Sequence, residues 1–257
     1  MGPGQRVGQR HRSGKTVSKA IIFDVDGTLA ETEETHRKAF NHAFAAAGLD
    51  WHWDQALYEK LLATTGGKER IRFFIESFGG NAAPADDLDT FIPALHASKT
   101  RAYTEMISSG DIELRPGIRE LIIDAKMHGF RLAIATTTTP ANVDALLGAT
   151  LGGSGVFEVI CAGDSVPDKK PAPDVYALVL DRLGLPAAAC VAVEDSCNGL
   201  QSAVAAGIPT VVTPGIYTAG QEFGAAALVV DDLAALDFGK IYGLTAPAGQ
   251  AGRRRSR

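Results

Sequence analysis

Two aspartates close a strongly apolar stretch near the start of the chain. Residues 21–34 read IIFDVDGTLAETEE, so that Asp24 and Asp26 follow the apolar run and a glycine stands directly behind them. Asp-Gly is ordinary turn chemistry, but an unpaired carboxylate at the end of a buried strand is costly to desolvate. Two carboxylates in this position can supply a nucleophile and a general acid or base, so they indicate a reaction site.

Polar residues follow later apolar runs in the same way. Thr136 begins a TTTT stretch, Lys170 precedes a Pro-Ala-Pro turn, and Glu194 and Asp195 form a second acidic pair. Because ligands of parallel sheets bind beyond the carboxyl ends of the strands, we expect these side chains to converge there. Three carboxylates and a lysine at one edge would repel or titrate unless a hard divalent cation organised them through oxygen ligands.

The apolar runs predict the strands of a parallel sheet. They are short and rich in β-branched residues, and helical stretches separate the later ones. The runs span residues 20–25, 131–135, 156–160, 190–193, 209–213 and 227–230. Strands that are apolar throughout are typical of a sheet covered by helices on both faces. The sequence therefore predicts an α/β fold with a doubly wound parallel sheet.

The interval between Asp26 and Pro116 breaks the alternation of strand and helix. It shows almost no strand character and predicts helices at residues 33–47, 54–62, 68–78 and 86–108. A helical insert that leaves the sheet beside the ligand-binding edge is well placed to act as a lid. The predicted domains are a Rossmann-like catalytic core at 20–30 and 112–240, a helical cap at 31–111, and basic tails at 1–19 and 241–257.

Charge is unevenly distributed along the chain. The net charge of the 257 residues is −5, from 25 Lys+Arg and 30 Asp+Glu. Nine of the basic residues lie in residues 1–19 and in the terminal RRRSR, which leaves a body of charge −14. So acidic a body argues against nucleic-acid binding. The chain lacks both an apolar run of about 18 residues and a secretory signal, so we expect a cytoplasmic monomer without a membrane partner.

Taken in order, these residues resemble the motifs of a known enzyme superfamily. DVDGT at residues 24–28, Thr136, Lys170 and the acidic pair at 194–195 are similar to the four motifs of the haloacid dehalogenase superfamily. The resemblance covers residues 20–236, and the helical insert is similar to that superfamily's first cap type. The stretches TTGGKERI, RPGIRELI, DKKPAPDVY and VAVEDSCNG further resemble its CbbY branch. That branch implies a phosphatase associated with the Calvin cycle whose substrate is xylulose 1,5-bisphosphate.

The resemblance implies a role for each motif residue. Asp24 is the nucleophile that forms an aspartyl phosphate, and Asp26 is the general acid and base. The expected Mg²⁺ ligands are Asp24, the backbone carbonyl of Asp26, Asp195 and, in or just outside the shell, Glu194. The expected ligands of the phosphoryl oxygens are Thr136, the Thr137 N–H and Lys170.

A positive patch in the helical insert is the expected site for a second phosphate. In TTGGKER, residues 64–70, a glycine turn opens a helix, so free N–H groups, the helix dipole and cations coincide. The expected contacts of the distal phosphate are Thr65, Gly66, Lys68 and Arg70. Glu31 and His36, just after the first strand, are expected to contact the sugar or Asp26. The alternatives are a solvated helix start for Lys68 and Arg70, and a structural role for His36.

Other functions on the same fold stay open. The main alternative is a phosphosugar mutase of the β-phosphoglucomutase type, which uses the same two aspartates and differs in its cap contacts. A phosphonatase would need a cap lysine that forms a Schiff base, for which Lys60 and Lys68 are candidates. A binding module without activity would be expected to lose parts of the motif set, whereas this chain keeps them all.

Overall fold

A central parallel sheet organises the protein. The computed structural model describes residues 18–78 and 87–245. The strands are β1 Lys19–Phe23, β2 Phe130–Ala135, β3 Val159–Cys161, β4 Cys190–Glu194, β5 Thr210–Val212 and β6 Leu228–Val229. They pair in parallel in the order β3-β2-β1-β4-β5-β6. This is a strand order of doubly wound, Rossmann-like sheets, and it confirms the predicted fold class.

Helices cover both faces of the sheet. They are α1 Glu33–Ala46, α2 Gln55–Leu61, α3 Gly67–Phe78, α4 Leu88–Ser109, α5 Ile118–Met127, α6 Pro140–Leu151, α7 Asp174–Leu183, α8 Cys197–Ala205 and α9 Phe238–Leu244. Ile21 and Phe23 of β1 pack with α5 and α6, whereas Ala20 and Ile22 pack with α7 and α8. Both faces of β1 are therefore buried, which explains why the strand is apolar throughout. Within the described residues, no helix has the length and apolar character needed to cross a bilayer.

Helices α1 to α4 follow β1 as the predicted helical insert and have an apolar cluster of their own. Its centre is aromatic: Trp53 is fully buried, and its ring centroid lies 4.6 Å from that of Phe40 and 4.9 Å from that of Phe44. Asp54 begins α2 by accepting a hydrogen bond from the Leu57 N–H. Helices α1 and α4 pack along each other and place one wall of this insert opposite the edge of the sheet.

Both ends of the chain differ from the predicted boundaries. The predicted tail at 241–257 is wrong at its start, because α9 continues to Leu244 and Ile241 is fully buried in the core. Phe238, Ile241 and Leu244 recur every three residues and give α9 its apolar face. Lys19, predicted to lie in the other tail, begins β1, and its ammonium lies 3.3 Å from the ring centroid of Tyr242. The rest of the predicted tails, 1–17 and 246–257, lies outside the described residues.

Candidate active site

The core motif residues converge at the carboxyl edge of the sheet. Asp24 follows β1, Thr136 follows β2, and Glu194 ends β4 with Asp195 directly behind it. Lys170 reaches the same place from the loop beyond β3. All except Glu194 line a cavity of about 330 Å³, whose other wall comes from α1, α3 and α4. The sheet edge and the helical insert therefore enclose one site.

Lys170 is the buried cation at the centre of this edge. Its ammonium donates to Asp24 Oδ1 at 2.7 Å, to Glu194 Oε1 at 2.6 Å and to the Ala135 carbonyl at 2.9 Å. Burial alone would lower the pKa of Lys170, but the carboxylates of Asp24 and Glu194 outweigh burial and raise it. Lys170 is therefore held charged, with all three ammonium protons bonded.

Three buried carboxylates crowd together beside Lys170. Asp24, Glu194 and Asp195 each offer an oxygen within 4.8 Å of the others. Burial raises the pKa of Asp24 to about 8; Lys170 offsets part of this rise and Glu194 adds to it. Burial and the neighbouring carboxylates of Asp24 and Glu194 also raise the pKa of Asp195. Within the described residues, Glu194 Oε2 is buried without a hydrogen-bond partner. This oxygen and the crowded charges fit a divalent cation that takes oxygen ligands, such as Mg²⁺.

The turn after β1 lies directly against this cluster. Gly27 has φ +81°, and a Cβ there would overlap the Asp195 carboxylate, so only glycine fits. The Thr28 hydroxyl donates to Asp195 Oδ1 at 3.4 Å, and the Thr218 hydroxyl donates to Asp195 Oδ2 at 3.3 Å. The Asp-Gly turn is thus more than a chain reversal, because it brings the loop of Asp24 and Asp26 against Asp195.

Asp26 lies in a separate environment that favours its anion. The Thr32 hydroxyl donates to Asp26 Oδ1 at 2.6 Å, and His36 Nε2 lies 2.9 Å from the same oxygen. Burial acts to raise the pKa of Asp26, but His36, Thr32 and Lys99 together hold it below its usual range. The two aspartates therefore face different partners and carry opposite pKa shifts.

The predicted cap residues differ in what they contact. Thr65, Gly66, Lys68 and Arg70 all line the cavity. Lys68 Nζ lies 2.6 Å from Asp164 Oδ2, which connects α3 to the turn after β3. The Arg70 guanidinium donates to the Leu61 and Thr64 carbonyls and to the Tyr58 hydroxyl, at 3.2, 3.3 and 3.1 Å.

Glu31 and His36 contact different residues in the structure. His36 lies beside Asp26, one of the two positions expected for it. Glu31 lies outside the residues that line the cavity, because Arg115 Nε holds its carboxylate at 3.2 Å. The expectation that Glu31 contacts the sugar or Asp26 therefore does not describe this arrangement. Thr136 and Thr137 line the cavity together, as expected for neighbouring groups around one phosphoryl group.

Sequence reasoning missed a buried lysine and a histidine on α4. Lys99 Nζ lies 2.5 Å from His36 Nδ1, and only 3% of Lys99 is exposed. Burial lowers the pKa of Lys99 to about 7, and burial together with nearby cations lowers that of His96 to about 3. The two residues are three apart on α4 and line the cavity together, a helical spacing that could have flagged them.

Glycine at position 199 is expected to be essential for packing around Glu194. A Cβ there would overlap the Glu194 carboxylate, which is fully buried. Replacing Gly199 with alanine is expected to lower the free energy of unfolding by about 1–3 kcal/mol through overpacking. Urea denaturation measures this loss. Gly148→Ala is the matched control, since open space surrounds that helical glycine and alanine should stabilise it by up to about 1 kcal/mol. Equal stability of the two variants would contradict the predicted overlap.

The chain is similar to a family of hydrolases and to proteins of known structure. A family model described as haloacid dehalogenase-like hydrolase matches residues 18–207. Protein CbbY of Rhodobacter capsulatus is 57% identical over 219 residues, which cover 84% of this chain and 94% of that relative. A crystal structure of CbbY from Rhodobacter sphaeroides in complex with phosphate is 50% identical with a TM-score of 0.81, covering 85% of this chain and 96% of the other.

A second crystal structure from Rhodobacter sphaeroides, of a CbbY mutant in complex with xylulose 1,5-bisphosphate, has 49% identity and a TM-score of 0.81. It covers 85% of this chain and 96% of the other. These similarities span both the sheet and the helical insert that enclose the cavity. The chain therefore belongs to the haloacid dehalogenase-like hydrolase family, and it is a phosphatase similar to the CbbY proteins.

Proposed function

We propose that the protein hydrolyses the 1-phosphate of xylulose 1,5-bisphosphate in an Mg²⁺-dependent reaction and yields xylulose 5-phosphate. The observation that carries the chemistry is the pair Asp24 and Asp26, which face one cavity with different partners. The substrate is supported by the similar CbbY mutant, whose crystal structure contains xylulose 1,5-bisphosphate. It is also supported by Lys68, which offers a positive charge on the opposite wall of the cavity.

The proposed reaction has two phosphoryl-transfer steps. In the first, the ionised Asp24 carboxylate attacks phosphorus, and the bond from phosphorus to the sugar O1 breaks. Asp26 takes up a proton when the anionic substrate binds beside it, and it gives that proton to O1 in this step. Thr136, the Thr137 N–H and Lys170 hold the remaining phosphoryl oxygens, and Lys170 would exchange its bond to Asp24 Oδ1 for one to the substrate. In the second step, water attacks the phosphorus of the aspartyl phosphate, and Asp26 takes a proton from that water. Inorganic phosphate leaves, and Asp24 is regenerated.

The metal site in this proposal is the carboxylate cluster. Asp24, Asp195, the backbone carbonyl of Asp26 and Glu194 would hold Mg²⁺. When bound, the ion reduces the repulsion between the Asp24 carboxylate and the anionic phosphoryl group. Two observations support this assignment: Glu194 Oε2 has no hydrogen-bond partner in the part of the chain that the structure describes, and the three carboxylates repel one another.

The helical insert would act as the cap domain, at residues 31–111, over a core formed by 20–30 and 112 onward. Its proposed contacts with the substrate are Thr65, Gly66, Lys68, Arg70 and His36. The start of α3 supports them, because Gly66 and Gly67 leave its first N–H groups beside the cavity. Lys68 would exchange its Asp164 partner for the distal phosphate of the substrate.

Phosphate release tests both the chemistry and the substrate. The enzyme is assayed with Mg²⁺ and with EDTA on xylulose 1,5-bisphosphate, ribulose 1,5-bisphosphate, fructose 1,6-bisphosphate and β-glucose 1-phosphate. We expect metal-dependent release with a strong preference for the xylulose compound. Equal activity on all four compounds would contradict the substrate but keep the phosphatase. Conversion of glucose 1-phosphate to glucose 6-phosphate with little free phosphate would favour the mutase.

Replacing Lys68 with methionine is expected to separate distal-phosphate binding from chemistry. A charge-assisted hydrogen bond contributes about 1.5–3 kcal/mol, so kcat/KM for xylulose 1,5-bisphosphate should fall roughly 10- to 150-fold. Activity on p-nitrophenyl phosphate, which has no distal phosphate, should change little. Steady-state kinetics on both substrates measure the difference. Lys60→Met is the matched control, since Lys60 is an exposed insert lysine away from the cavity. Equal losses on both substrates would argue against this role for Lys68.

A further inference from the structure

Arg115 is a largely buried arginine at the junction of the insert and the sheet domain. It lies in the segment that joins α4 to α5, and only 9% of its side chain is exposed. Its backbone N–H donates to the Leu29 carbonyl at 2.8 Å, beside the segment that leads into α1. The two chain connections of the helical insert therefore meet at this residue.

Each nitrogen of the Arg115 guanidinium has a partner. Nε lies 3.2 Å from the Glu31 carboxylate, which belongs to the outgoing connection. Nη1 donates to the Gly27 carbonyl and, at 2.7 Å, to the Thr213 carbonyl. Nη2 donates to the Thr213 hydroxyl at 3.1 Å and to the Pro214 carbonyl at 2.8 Å. Arginine is the one side chain with five such donors in a planar fork, and lysine has three.

The segments that Arg115 joins are those that hold the second acidic pair. Gly27 and Thr28 lie against the Asp195 carboxylate from the loop after β1. From the loop after β5, Thr218 donates to the same carboxylate. The Thr213 N–H donates to the Glu194 carbonyl at 2.8 Å. Asp195 thus lies between two loops, and the Arg115 guanidinium binds both of them.

We infer that Arg115 is a positioning residue that fixes the spacing of the carboxylate cluster and couples it to the connections of the helical insert. Arg115 itself touches neither substrate nor reacting atoms. By holding the Gly27 carbonyl against those of Thr213 and Pro214, it sets the distance between the loop of Asp24 and the position of Asp195. The inference rests on the proposed function in one respect, that this cluster binds Mg²⁺.

Direct metal binding tests the inference without relying on turnover. Mg²⁺ binding by isothermal titration calorimetry is compared for the wild type, Arg115→Met and Arg115→Lys, together with kcat, substrate KM and melting temperature. Loss of a residue that orients metal ligands typically costs 10- to 100-fold in metal affinity or activity. We expect both variants to bind Mg²⁺ at least tenfold more weakly and to lose kcat, with substrate KM nearly unchanged. Arg119→Met, an exposed arginine on α5, is the matched control.

Further variants keep the test decisive if loss of Arg115 prevents folding. Glu31→Gln removes the charge of the ion pair to the outgoing connection. Thr213→Val removes the hydroxyl that accepts from Arg115 Nη2 and donates to the Asp231 carbonyl. Each is expected to weaken Mg²⁺ binding by a smaller factor. In Arg115→Ala, millimolar guanidinium should restore Mg²⁺ binding and kcat, whereas methylammonium should not. A lower melting temperature with wild-type Mg²⁺ affinity and kcat in all folded variants would overturn the inference. If instead the wild type hydrolysed no sugar phosphate, the proposed function would fail while the Mg²⁺ titrations still decided the role of Arg115.

Discussion

Replacing Asp24 with asparagine is expected to lower kcat for phosphate release by about four orders of magnitude or more, the scale seen for lost nucleophiles. The asparagine amide keeps the size and position of the carboxylate at the end of β1 but cannot attack phosphorus. Phosphate release measures the loss. Acid quenching with radiolabelled substrate adds a direct readout, because wild-type protein should carry label on Asp24 and the variant should carry none.

The same substitution is not expected to unfold the protein. It removes one of three crowded buried carboxylates, and Lys170 keeps its bonds to Glu194 and the Ala135 carbonyl. Burial raises the pKa of Asp24, so its ionised form destabilises the fold, and the melting temperature in EDTA should stay at the wild-type value or rise. Asp181→Asn, at an exposed position of α7, is the control for a neutralised aspartate and should leave activity and melting unchanged. A variant that retained labelled phosphoenzyme would mean that the nucleophile is another residue.

The sheet was predictable because each of its strands lies in or overlaps an apolar run of the sequence. Each apolar run identified from the sequence contains or overlaps one strand, and β1, β2 and β4 begin or end within one or two residues of the prediction. The largest difference is β3, predicted from residue 156 and observed from Val159. Phe157 is buried in the core without belonging to the strand, since its N–H bonds to the Ser154 carbonyl in a turn. An apolar run reports burial and does not distinguish a turn from a strand.

The core of the site was predictable for a topological reason. A parallel sheet brings the carboxyl ends of its strands to one edge, so residues at strand ends can be grouped from the sequence alone. Contacts that residues of the insert make could not be grouped from the sequence in this way. Lys99 binds His36 from 63 positions along the chain, and Asp164 binds Lys68 from 96 positions away. Such pairs depend on how α4 and the turn after β3 pack against distant residues, which no local pattern records.

Glu31 illustrates competition between partners that sequence reasoning does not resolve. Its position just after β1 suggested a contact with the sugar or with Asp26. The structure instead directs its carboxylate toward Arg115, a residue assigned no role from the sequence. A partly buried charge is stable only beside a partner that compensates its lost hydration. For Glu31 that partner belongs to a distant segment of the chain. Arg115 is identifiable only once the loops after β1 and β5 are adjacent.

Replacing Asp26 with asparagine is expected to lower kcat for the sugar bisphosphate by about 10²- to 10⁴-fold, the usual contribution of general acid–base catalysis. Both proposed steps lose the proton carrier, because an amide neither protonates the sugar oxygen nor deprotonates water. Thr32 and His36 flank Asp26 and can still accommodate an amide of the same size. Steady-state phosphate release measures the loss, and Asp111→Asn, at an exposed position away from the cavity, serves as the control.

A substrate with an activated leaving group distinguishes the two functions of Asp26. p-Nitrophenolate leaves without protonation, so Asp26→Asn should form the aspartyl phosphate from p-nitrophenyl phosphate but hydrolyse it slowly. Rapid mixing should then give a burst of about one p-nitrophenolate per enzyme followed by slow turnover. With xylulose 1,5-bisphosphate, the variant should give no burst of xylulose 5-phosphate, because the first step on this substrate also needs the acid. A burst of equal size with both substrates would mean that Asp26 acts only as the base, and another group would have to protonate the sugar oxygen.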